Sequence, residues 1–274
     1  DDQVSEYGLV HTFTIRDANW SNGDPVTAAD FVFAWQRVFK ETGQYGSMFE
    51  TANILHASEI VKGEKQAESL GVKALDEKTL EVTLTTPNAL LGQLLTFPTF
   101  LPQNQKFVES QGEKYALEAD NLLYNGPFIL SEWKHDASWK YQKNTKYWDA
   151  DTVSLDELNV FVVKEAATQL NLYDTNKVDS INLSSASVDQ YKDDKNFSSL
   201  ADSEIFFLRF NHNHKALGNK NIRRAIDMSW DKQAHVDRIL NNGSLALYGL
   251  VPKNFSTSPD GKDFRELNGE LNHG

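Results

Sequence analysis

The sequence predicts an α/β fold, and three stretches carry that reading. Residues 13–39 run as strand, turn and capped helix in one block. Residues 72–84 read as a hairpin, with VKAL and LEVTL flanking Asp76-Glu77-Lys78, a polar loop of the kind that closes antiparallel strands. Residues 158–183 read as strand, helix, strand, the unit from which mixed and parallel sheets are built.

Taken in order, the residues before His11 are polar and acidic, as expected of a chain that begins inside a domain. His11, Phe13 and Ile15 then alternate with Thr12, Thr14 and Arg16 at the period of a half-buried strand. Asn22-Gly23-Asp24-Pro25 must reverse the chain, because it joins residues tolerant of positive φ to a proline fixed near −65°. Thr27 is placed to cap the next helix, its hydroxyl accepting from N–H groups near Asp30, whose charge suits the positive end of the helix dipole. Phe31, Ala34, Trp35 and Val38 give that helix one wide apolar face. A loop over 41–47 with Tyr45 at its tip leads into one or two short helices over 48–61.

Beyond the hairpin, Pro87 ends the strand and 89–95 form one or two helical turns. Phe97-Pro98 and Leu101-Pro102 then predict an extended connection, with a domain boundary near residue 104. A charged helix over 105–117 follows, then a turn at Tyr124-Asn125-Gly126-Pro127 that opens a strand. Trp133, Trp139, Tyr141 and Trp148 are expected on a two-stranded ribbon. The apolar run 158–163 reads as a strand buried on both faces, 166–173 as a helix stopped by Asn176, and 178–183 and 204–211 as strands. Ile222, Ala225, Ile226, Met228, His235, Val236 and Ile239 mark a helix over 222–240. Past Val251 the chain is mostly polar and completes no element.

A chain of 274 residues suits one large or two ordinary domains, and 40% hydrophobic content builds a core. With 27 Lys and Arg against 39 Asp and Glu, the net charge is −12, with no basic stripe. Nucleic acid and anionic membrane surfaces are therefore poor partners. The absence of cysteine excludes disulfides, thiol catalysis and cysteine metal sites while leaving the compartment open. No apolar run approaches the roughly 20 residues needed to span a bilayer, and DDQVSEYG is not a signal peptide.

No nucleophile elbow, HExxH, P-loop or GxGxxG motif announces an enzyme. His212 and His214 have the alternate spacing of metal ligands, but no third ligand is positioned and a solvent-facing loop is the preferred reading. Glu64 and Glu68, four apart in a Lys-mixed stretch, read as a solvated helix face. Six tryptophans allow a carbohydrate-stacking reading, with Trp20, Trp35 and Trp148 assigned to core packing and Trp133 and Trp139 left open.

The block WSNGDPVTAADFVFAWQRV, from Trp20 to Val38, resembles the signature of the family 5 bacterial extracellular solute-binding proteins, the oligopeptide-binding components of ABC importers. GVKALDEKTLEVTL from Gly71, YNGPFIL from Tyr124, KNTKYW from Lys143 and NIRRAI from Asn221 resemble further family blocks in the family's order. The resemblance implies a periplasmic-binding-protein-like type II clamp with an extra domain, truncated in the second lobe. The expected division is 1–104 for an N-terminally incomplete additional domain, 105–203 for part of the first lobe and 204–274 for the crossover and start of the second.

The function implied is non-enzymatic: capture of oligopeptides outside the cytoplasm, without a cofactor, and delivery to ABC transporter permease subunits. A signal and lipid anchor would lie upstream of this chain and supply its only membrane attachment. Peptide pheromones, metal complexes such as nickel, and oligosaccharides remain alternative ligands. In the family an extended peptide lies between two lobes and bonds to main chain, much as an added strand does. Position by position, the resemblance points to Asn182, Leu183 and Ser184 for those bonds, and to Tyr45 and Phe97 for an aromatic wall, Phe97 making it more apolar. Phe207 and Arg209 are placed on the strand face opposite Phe206, Leu208 and Phe210. Arg209 is either an exposed strand residue or a cleft residue that would favour a ligand carboxylate. The family's acidic anchor for the peptide amine belongs to a part this chain does not contain, and hinge closure is the implied mechanism.

Overall fold

The structure, a computed structural model, describes residues 2–41, 44–200 and 204–269. It divides into two compact units, Asp1–Val162 and Val163–Gly274.

The first unit opens on an antiparallel four-stranded sheet: β1 (Asp2–Val4), β2 (Val10–Thr14), β3 (Val72–Ala74) and β4 (Thr79–Thr83), in the order β1-β2-β4-β3. Along β2 the expected alternation appears: His11 is buried, Phe13 packs on the core and Thr14 is exposed. The hairpin closes as its loop predicts, the Asp76 carboxylate accepting from the Lys78 N–H (2.8 Å) and the Thr79 hydroxyl (2.9 Å). Gly71 leads into β3 because nothing larger fits: a Cβ there would lie 2.6 Å from Leu55 Cβ and 2.7 Å from the Thr83 carbonyl oxygen.

Helix α1 (Ala28–Glu41) lays Ala28, Ala34 and Trp35 into that core. Trp35, 1% exposed, meets Phe49 and Phe100 edge-on at 5.7 and 5.5 Å and gives its indole N–H to the Phe100 carbonyl at 3.0 Å. The ring is thus buried with its one polar group satisfied. The start of α1 differs from expectation. The Thr27 hydroxyl donates instead of accepting. Asp30 Oδ2 reaches back to accept from the Thr27 N–H (2.9 Å), the Thr27 hydroxyl (3.3 Å) and the Trp20 indole (3.1 Å). A charged acceptor gains more from orphan donors than a hydroxyl does, so the acid takes the capping role.

Helices α2 (Gly46–Thr51), α3 (Ala57–Val61) and α4 (Leu91–Leu94) surround the same core. Glu64 and Glu68 do not share a helix, and Glu68 pairs instead with Lys40 at 2.5 Å. The proline-rich connection is not wholly extended: Pro98–Phe100 is a 3₁₀ turn with proline at its first position, where a missing N–H costs nothing.

Helix α5 (Gln105–Gln111) is shorter than the predicted 105–117. Asn104 caps it by accepting from the Phe107 N–H at 2.9 Å, and Gly112, at φ +54°, ends it. A second antiparallel sheet follows: β5 (Phe128–Lys134), β6 (Ser138–Lys143) and β7 (Glu157–Phe161), in that order, with Trp133 opposite Trp139. The expected ribbon is therefore three-stranded. β7 is not buried on both faces: only Val160 of its five residues is shielded, and Phe161 is 55% exposed. Among the described residues β7 pairs with β6 alone, and Glu157, Asn159 and Phe161 point to the other side from Leu158 and Val160.

Several contacts stitch the early and late parts of this unit. The Ser21 N–H donates to the Tyr124 carbonyl (2.6 Å), and the Tyr124 N–H donates to Ser21 Oγ (3.2 Å). The Arg16 guanidinium lies 4.0 Å from the centre of the Trp148 ring, which is 49% exposed and so not the core residue expected. Asn144, fully buried, binds the Gly126 carbonyl through its amide nitrogen at 2.8 Å. Burial pushes the Tyr124 hydroxyl up to about 12, with Tyr141 and Asp120 adding to the shift.

The second unit contains α6 (Ala166–Asp174), α7 (Ser185–Tyr191), α8 (Lys220–Ser229), α9 (Lys232–Ala234) and α10 (Phe264–Asn268), with a π-helical turn at His235–Leu240. The Tyr191 hydroxyl joins α7 to α6 by donating to Asp174 at 2.9 Å. Among the described residues this unit has no strand, so the strands expected at 178–183 and 204–211 are corrected: both are irregular backbone without a ladder partner. The single helix expected over 222–240 breaks at Trp230-Asp231, where Asp231 caps a new start by accepting from the Ala234 N–H at 2.9 Å. The polar tail does complete something. Buried Asp263 gathers the N–H groups of Asn254 (2.5 Å), Arg265 (2.8 Å) and Glu266 (3.2 Å) around one carboxylate. Burial pushes Asp263 up, but those bonds outweigh it and hold the acid below its usual range.

Candidate ligand-binding site

The seven candidate residues fall into separate groups. Tyr45 and Phe97 belong to the first unit, and the other five to the second. Tyr45 immediately precedes α2, and Phe97 precedes the Pro98–Phe100 turn. Fifty-two positions apart in sequence is no obstacle: their ring centroids lie 6.0 Å apart at 53°, and both rings remain partly exposed.

In the second unit, Asn182 is exposed, Leu183 half-buried and Ser184 exposed. Ser184 opens α7 with φ −75° and ψ 155°, and its hydroxyl lies 3.2 Å from that of buried Ser187. Asn182 and Leu183 thus lie on irregular main chain that leads into a helix start.

Phe207 and Arg209 lie with Leu208, Phe210, Asn211 and His212 along one strip of open surface. Phe206 (85%), Phe207 (67%) and Leu208 (56%) are all exposed, as is Arg209, so neither side of this segment is covered among the described residues. His212 and His214 sit in the turn that follows, where His214 Nδ1 accepts from the Leu217 N–H at 3.4 Å. Among the described residues no three metal-ligating side chains converge. A cavity of about 450 Å³ borders the start of α1 and includes Asp24, Asp30, Asn104, Lys106 and Glu109.

Sequence reasoning missed three polar residues that organise the backbone around them. Arg223 donates to the carbonyls of Leu217 (2.8 Å) and Gly218 (3.0 Å), tying the histidine turn to α8. Asn144 and Asp263 are the others. Each is a polar residue inside a patterned stretch, and that polarity was the available signal: a buried amide or acid must find partners.

The family described as bacterial extracellular solute-binding proteins, family 5 Middle, matches residues 1–271. The chain belongs to the family 5 bacterial extracellular solute-binding proteins. A peptide-bound OppA of Listeria monocytogenes is 42% identical, with a TM-score of 0.85 over 98% of this chain and 54% of that one. The pheromone receptor PrgZ, solved for its mode of peptide binding, is 36% identical with a TM-score of 0.87, covering 99% and 54%. Among curated relatives, the dipeptide-binding protein DppE of Bacillus subtilis is 36% identical over 98% of this chain and 49% of its own length. This family 5 chain therefore spans about half the length of the curated relatives it matches. Its fold is that of the type II periplasmic-binding-protein class. Among the described residues, no helix is long and apolar enough to cross a membrane.

Proposed function

We propose that the full-length protein is an extracytoplasmic receptor that captures oligopeptides and hands them to the permease subunits of an ABC transporter. The observation that carries this is the likeness to peptide-bound OppA over nearly the whole chain, at 42% identity. The reading is non-enzymatic, with lipid-anchored or free periplasmic placement as its two forms. Binding energy would come chiefly from peptide main chain, which suits a receptor of broad sequence tolerance. Asn182, Leu183 and Ser184 would supply main-chain partners, Tyr45 and Phe97 an aromatic wall, and Phe207 and Arg209 further contacts, Arg209 toward a carboxylate. The proposed division remains 1–104, 105–203 and 204–274, the first being the additional domain. Ligand would stabilise a closed state by binding it better than the open one.

The test is isothermal titration of this chain and of a full-length protein containing it with pooled peptides of two to eight residues. Heat from the full-length protein, with the peptides recovered uncleaved, is the expected result. No heat from it overturns the general peptide assignment in favour of one narrow ligand, and released fragments would reveal an enzyme.

A further inference from the structure

Asparagine followed by glycine occurs at 22–23, 125–126, 242–243 and 268–269, and the fold treats these pairs differently. Two of them turn alike. Asn22 Oδ1 accepts the Asp24 N–H at 3.0 Å, and Asn242 Oδ1 accepts the Ser244 N–H at 3.1 Å. The glycines between them sit at φ +95° and +85°. The first turn is locked further. The Gly23 N–H donates to the Trp20 carbonyl at 2.8 Å, and the Asn22 amide nitrogen donates to Asp24 Oδ2 at 2.7 Å. Among the described residues neither the Gly243 N–H nor the Asn242 amide nitrogen has a partner, and Asn242 is exposed. The other two pairs are held as well. The Gly269 N–H donates to the Arg265 carbonyl and the Asn268 amide to the Phe264 carbonyl, both at 2.9 Å, while Asn144 grips the Gly126 and Pro127 carbonyls at 2.8 Å.

We propose that Asn242 is a site of spontaneous hydrolytic deamidation, whereas Asn22, in the same kind of turn, is protected by its hydrogen bonds. The Gly243 nitrogen gives its proton to hydroxide and attacks Asn242 Cγ. The bond from Cγ to the amide nitrogen breaks, and that nitrogen takes a proton from water and leaves as ammonia. Glycine leaves the approach unblocked by a side chain, and the Ser244 N–H polarises the carbonyl under attack. Water then opens the cyclic imide at either carbonyl, leaving aspartate or isoaspartate. Gly23 is barred from the same step until its bond to Trp20 opens and the Asn22 amide leaves Asp24. Isoaspartate would lengthen the main chain beside Asn241, whose amide donates to the Asp189 carboxylate of α7 at 3.1 Å.

The experiment incubates the full-length protein containing this chain in warm, mildly alkaline buffer, folded and in urea. Peptide mapping by mass spectrometry follows each asparagine, and no readout depends on a bound peptide. In the folded protein Asn242 should convert at least about tenfold faster than Asn22, since two bonds must open first at Asn22. In urea the two rates should agree within about threefold, because those bonds are gone. Asp24→Ala, which frees the Asn22 amide nitrogen, should speed Asn22 alone by about threefold. If Asn242 stays intact in the folded protein, or Asn22 keeps pace with it there, the assignment is overturned. A gap that persists in urea, or an unchanged Asn22 rate in the Asp24→Ala variant, overturns the protective role of the bonds.

Discussion

The apolar side chains of residues 206–208 and of residues 80–84 meet opposite fates. Leu80, Val82 and Leu84 are 3%, 0% and 2% exposed, because β4 lies between β2 and β3 and faces α1. Phe206, Phe207 and Leu208 are 85%, 67% and 56% exposed, on backbone with no ladder partner among the described residues. The difference teaches that strand composition supplies the possibility of a core, whereas paired backbone decides which side chains enter it.

The sharpest way to break this contrast is to truncate one aromatic in each region and measure urea unfolding. Trp35→Ala removes a buried ring and leaves a cavity, so a loss of about 3–5 kcal/mol is expected in the first unit. Phe207→Ala should change stability by no more than about 0.5 kcal/mol. Equal effects would mean that 204–211 is packed far more tightly than its exposure indicates. A smaller loss, about 2 kcal/mol, is expected for Asp30→Ala, which leaves the buried Trp20 indole and the Thr27 N–H short of their acceptor. Asp30→Asn should recover part of it, since an amide oxygen still accepts.

The mildest effect concerns pH. Tyr124 titrates at about 12 in the folded chain against roughly 10 unfolded. Its contribution to stability is therefore complete below pH 10 and is lost as pH rises toward 12, when the phenolate must form in a partly buried site. Tyr124→Phe should flatten that alkaline loss in unfolding curves measured at pH 8 and pH 11, and an unchanged slope would remove Tyr124 as its source.

The first unit was largely legible in the sequence because its signals are local. The Asn22-Gly23-Asp24-Pro25 turn, the amphipathic α1 and the Asp76 hairpin each carry their own instruction. What escaped were choices between competing local partners and facts about distant ones. Asp30 outcompeted the Thr27 hydroxyl as cap, and Asp231 divided a helix whose apolar periodicity ran straight through it. The run at 158–163 has the composition of a buried strand, but its burial depends on what covers β7, which no local pattern encodes. Tyr45 and Phe97 were named as one wall through family resemblance, and the 6.0 Å ring pair brings them together. By contrast, the facing given to Phe207 and Arg209 rested on a strand at 204–211, and that segment pairs with no strand among the described residues.

The paired bonds between Ser21 and Tyr124 span 103 residues. Closing a free loop of that length costs about 4 kcal/mol in chain entropy. The β2–β4 ladder and the core around Trp35 can form first and shorten that loop. The seam at Tyr124 then belongs to the end of the folding reaction, when two preassembled pieces meet. Changes at Ser21 should therefore act mainly on how fast the chain comes apart, and much less on how fast it comes together.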